Sequence, residues 1–60
     1  MGLREVLYEF RPSGAYVRVA AIDPHSNTEV TVVGDPRQGE AVLKRIALRK
    51  LIYVLAKGRR

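Results

Sequence analysis

The 60-residue chain has no cysteine, so neither a disulfide nor a thiolate metal site can supplement its core. It has a single histidine, His25, with no carboxylate at ligand spacing, and no metal site or other cofactor is expected. No apolar run approaches the roughly 18 residues that a membrane-spanning helix needs. The opening Met1-Gly2-Leu3-Arg4-Glu5 lacks the basic region and apolar stretch of a signal peptide. Gly2 does not complete a myristoylation pattern either, because Val6 stands where serine or threonine is required. These absences predict a soluble cytoplasmic protein with no membrane span. At this length the expectation is one domain, residues 1–60, burying only about 60% of its unfolded surface. Dense packing or self-association must then carry its stability.

Acidic residues are nearly missing from one part of the chain. Residues 1–36 carry Arg4, Arg11 and Arg18 against Glu5, Glu9, Asp23, Glu29 and Asp35, a net charge of −2. Residues 37–60 carry Arg37, Lys44, Arg45, Arg49, Lys50, Lys57, Arg59 and Arg60 against Glu40 alone, a net charge of +7. A mildly acidic scaffold is thus joined to a basic segment, which points to an anionic partner. With 47% hydrophobic and 28% charged residues, the chain has the composition of a globular protein.

The first half alternates with period two. Val6, Tyr8 and Phe10 point one way and Glu5, Leu7 and Glu9 the other, predicting a strand over about residues 4–11. Arg11-Pro12-Ser13-Gly14 reads as a turn, with Pro12 presetting φ and Gly14 accepting a positive one. A second strand is predicted over residues 15–22, with Ala15, Val17, Val19 and Ala21 on one face and Tyr16, Arg18, Ala20 and Ile22 on the other. Asp23-Pro24-His25-Ser26-Asn27 closes the next hairpin, with Asn27 suited to the left-handed region. A third strand follows over residues 28–33, with Val30 and Val32 on one side.

The period then changes. Asp35, Pro36 and Gln38 form a helix start with capping-box spacing, and no proline interrupts the sequence from there to Lys57. A helix over about residues 36–57 is predicted, although Gly39 favours a start nearer Glu40. The order β-β-β-α gives an α+β fold: a three-stranded antiparallel meander packed on one long C-terminal helix. Its expected core is Val6, Tyr8, Phe10, Val17, Val19, Val30, Val32, Leu43, Ala47, Leu51 and Leu55.

The apolar arc of that helix, from Leu43 round to Ile52, spans about 180°, against about 100° for an ordinary core-facing stripe. A helix of about 33 Å would also overhang strands of about 20–23 Å. Leu48, Ile52 and Leu55 are therefore the expected interface of a homodimer.

The segments Tyr8-Glu9-Phe10, Tyr16-Val17-Arg18-Val19, Ala21-Ile22-Asp23-Pro24, Thr28-Glu29-Val30, Val33-Gly34-Asp35-Pro36, Leu43-Lys44-Arg45 and Arg49-Lys50-Leu51 resemble a short bacterial family of unknown function. The resemblance covers nearly the whole chain and implies a stand-alone protein of about this length. It brings no activity, ligand or catalytic residue with it.

No catalytic constellation emerges. Ser13, Ser26 and His25 fall in turns, and turn chemistry accounts for Asp23 and Ser26. Glu5 and Glu9 lie about 13 Å apart along one strand, too far to act as a carboxylate pair. The glycines around Asp35 lack the Gly-Lys-Ser/Thr ending of a phosphate loop. The expectation is a non-enzymatic binding module with no small-molecule substrate. Arg45, Arg49, Lys50, Lys57, Arg59 and Arg60 would contact the phosphate backbone of DNA or RNA, and Tyr53 would stack on a base. The alternative is a homodimeric interaction or scaffolding module with no nucleic-acid ligand, its basic face serving solubility. A membrane-surface role ranks third, because the sheet consumes the helix's apolar half.

Overall fold

The computed structural model describes residues 5–58. Its elements are β1 (Leu7–Ser13), β2 (Tyr16–Asp23), β3 (Thr28–Gly34), a 3-10 turn (Pro36–Gln38) and α1 (Glu40–Gly58). The strands form one antiparallel sheet in the order β1-β2-β3, with α1 on one face. This is the expected β-β-β-α arrangement.

The first hairpin closes tighter than the spacing of its residues suggested. β1 continues through Pro12 to Ser13, and Ser13 pairs with Tyr16 across a two-residue Gly14-Ala15 loop. Pro12 is therefore a strand residue opposite Val17 and not the second position of a turn. An edge strand tolerates it, because there the missing N–H removes no ladder bond. Gly14 has φ 64, the left-handed conformation that two-residue hairpins demand of glycine. In the second hairpin Asn27 takes the left-handed position at φ 61, as expected. The turn is tied by Asp23, whose carboxylate accepts the His25 N–H at 3.1 Å and the Ser26 hydroxyl at 2.9 Å. Asp23 is buried, and those bonds satisfy it.

The helix begins where Gly39 suggested, one residue beyond it. Asp35, Pro36 and Gln38 cap a single 3-10 turn: Asp35 accepts the Arg37 N–H and Gln38 Oε1 accepts the Asp35 N–H, both at 2.9 Å. Gly39, at φ 90, then redirects the chain, and α1 begins at Glu40 and not at Pro36. Its 19 residues span about 28 Å, while the strands of seven and eight residues span about 23–26 Å. The overhang predicted from a helix starting at Pro36 largely disappears.

All eleven expected core residues pack together, joined by Ala21 and Val54. The helix rests on β2 and β3, where small side chains let it come close. Ala21 and Ala47 are fully buried, and a Cβ placed on Gly34 would collide with Leu43. Tyr8 and Phe10 on β1 wedge beneath the other flank of the helix and stay half-buried.

Candidate nucleic-acid interface

An α-helix places residues four apart one turn above each other. Arg45, Arg49, Tyr53 and Lys57 have that spacing and form a single exposed ridge along α1. Each step rises about 6 Å, so the ridge is about 18 Å long. Tyr53 is 63% exposed, and the Lys57 ammonium lies 5.6 Å from its ring centroid. Arg45 and Arg49 have neither ion pair nor hydrogen bond to another side chain among the described residues. After Glu40 the helix carries no acid, so nothing on α1 beyond its first turn competes with an external anion for the ridge.

The other basic residues of the segment have work within the fold. Arg37 is held by Asp35, with Nη2 2.8 Å from Oδ2, and the paired guanidinium lowers the Asp35 pKa from its ordinary value. Lys44 places its ammonium 5.4 Å from the Tyr8 ring centroid. Lys50, expected on the binding face, instead turns to the sheet and donates to the Thr31 carbonyl at 3.1 Å. That contact occupies an acceptor on the edge strand β3, and it corrects the sequence-based grouping of Lys50 with Arg45 and Arg49. Arg59 and Arg60 lie outside the described residues. Lys57 has a structural reason to be basic, since a cation in the last turn complements the helix dipole. Arg45 and Arg49, in mid-helix, do not.

The expected dimer residues divide similarly. Leu55 packs against the protein's own core, Leu48 is half-buried, and Ile52 is 49% exposed. At the far end of the 180° arc only Ile52 stays exposed, while Leu48 and Leu55 are partly covered.

No group of three or more His, Cys, Asp or Glu side chains able to hold a metal occurs among the described residues. His25 is exposed, and its backbone N–H serves the Asp23 turn. Two surface hollows, of about 170 Å³ over the open sheet face and about 290 Å³ between β1 and the start of α1, fall below the usual 300–1,000 Å³ of ligand pockets. No helix among the described residues is long and apolar enough to cross a membrane.

Nothing in the linear pattern hints that Arg11 and Arg18 meet. They stand directly opposite each other on the open sheet face. The register that pairs them depends on the two-residue loop, and reading Pro12 as a turn residue concealed it.

Residues 3–58 match the model of a family described as a domain of unknown function (DUF6898), and the chain belongs to that family. No curated protein and no solved structure matches it significantly.

Proposed function

We propose that this member of the DUF6898 family is a non-enzymatic module that contacts the phosphate backbone of nucleic acid. The observation that carries the reading is the ridge of Arg45, Arg49 and Lys57, with the exposed ring of Tyr53 interleaved. Cations on one line suit a regularly charged polymer, and such contacts bring affinity with little sequence preference. Arg59 and Arg60, next in sequence, would bring the basic contacts to five.

Titration against mixed DNA and RNA fragments in about 50 mM salt tests it. Five phosphate contacts correspond to a log–log salt slope of about −4.5 on duplex DNA. Replacing Arg45 and Arg49 together with alanine should weaken binding evenly across sequences and flatten the slope by about 2. Lys50→Ala should leave the slope unchanged, because that ammonium is engaged with Thr31. Tyr53→Ala should weaken single strands more than duplex, since only unpaired bases offer a face to stack on. No binding at that salt concentration would refute the phosphate reading. The second reading, a homodimeric interaction module without a nucleic-acid ligand, draws support from Ile52, left half-exposed beside Leu48.

A further inference from the structure

Among the described residues nothing covers the sheet face away from α1, and that face mixes exposed apolar residues with charged ones. Of the six large hydrophobic residues exposed among the described residues, three lie there: Leu7 (50%), Tyr16 (48%) and Val33 (59%). Between them the strand register sets Glu9 beside Ala20 and Thr31, and Arg11 beside Arg18 and Val33. Arg18 has no carboxylate partner among the described residues, and like charges directly opposite each other destabilise a sheet. Arg11 has only Glu9, at 3.7 Å.

We propose that this face docks on the same face of a second copy of the chain, strands antiparallel, about a two-fold axis running across the strands between Glu9 and Arg11. A closed pair of identical subunits must meet through an isologous patch, which restricts the registers available. An axis parallel to the strands along β2 would stack Arg18 on Arg18. A crossing axis through Glu9 would set Glu9 on Glu9, and one through Arg11 would set Arg11 on Arg11. The axis between them sets Glu9 of each copy over Arg11 of the other. It also sets Ile22 over Tyr16, and brings each Arg18 to the small Ala20 of its partner. Sheets so packed would lie about 10 Å apart, with strand directions within about 30°. Both α1 ridges would face outward, so the inference stands independently of the phosphate reading.

Three strands about 4.8 Å apart and seven residues long make a patch of about 14 by 23 Å. An interface of that size belongs with small, reversible ones. The dimer should therefore be weak and transient.

Sedimentation of the full chain from about 10 µM to 1 mM should show concentration-dependent dimer. Glu9→Arg alone, or Arg11→Glu alone, sets like charges across the axis and should weaken the dimer about tenfold or more. Mixing the two variants should restore it: one chain then presents a cation at both positions, and the other a carboxylate at both. Loss of a bridge within one chain cannot produce that rescue. Nor can net charge, since E9R and R11E shift the formal +5 to +7 and +3, both positive. A monomer at 1 mM overturns the proposal, as does a mixture no more dimeric than its components. A dimer that Ile52→Glu abolishes and Arg11→Glu spares would place the contact on the helix flank, and would overturn it too.

Discussion

The two faces of β2 carry alternate residues of one strand and teach different things. Toward α1, Val17, Val19, Ala21 and Asp23 are all buried. Away from it, Tyr16 and Arg18 are exposed and Ile22 is half-covered, while Ala20 is sheltered only by its neighbours on the sheet. The inner face is selected by volume: small residues where the helix comes close and aromatics where it stands off. The outer face is selected by charge placement, which packing inside one copy does not explain. Among the described residues one helix meets the sheet, on one face, and the other face stays open.

The largest test of this contrast is Leu51→Ala. Leu51 is fully buried at the centre of the inner layer, and its truncation should cost about 2–5 kcal/mol in chemical denaturation. Leu7→Gln on the outer face, measured at low micromolar concentration, should move stability by less than about 0.5 kcal/mol. Equal costs would break the distinction between the faces.

Gly34→Ala is the intermediate case. The added methyl would meet the Leu43 side chain, itself only 2% exposed, so overpacking should cost about 1–3 kcal/mol. Combining it with Leu43→Val should recover part of the loss. A neutral Gly34→Ala would mean that the helix stands off the sheet.

The smallest effect concerns pH. Hydrogen bonds from the Arg37 side chain and then its backbone N–H hold the Asp35 carboxyl below its ordinary value. A carboxyl with a depressed folded-state pKa stabilises above its unfolded pKa, and that contribution is lost as pH falls through the folded value. Carbon-detected NMR titration should find Asp35 ionising below the ordinary range of an aspartate. Arg37→Ala should return it toward the usual range.

The sequence made the inner face legible because burial follows a period. Val17, Val19 and Ala21 announce it in β2 and Leu43, Ala47 and Leu51 in α1, and all six are in the core. Turn chemistry was legible at Asn27, where few other residues suit a left-handed φ. It misled at Pro12, since proline suits both a turn and an edge strand, and only the partner's register decides between them. The capping pattern at Asp35 was read correctly, but it nucleates a single 3-10 turn because Gly39 diverts the backbone. Of the candidate site, the i, i+4 ridge follows from helical spacing alone. Lys50 does not, because its engagement with Thr31 joins residues 19 apart in sequence.

That bond between Lys50 and the Thr31 carbonyl has a consequence for assembly. A sheet with two receptive edges can add strands at both and propagate into a filament. Here the helix lays a charged side chain on a β3 carbonyl, while β1 carries Pro12 near its end. Edge-on addition of a strand at β3 would first have to displace that bond, whereas at β1 it would meet Pro12.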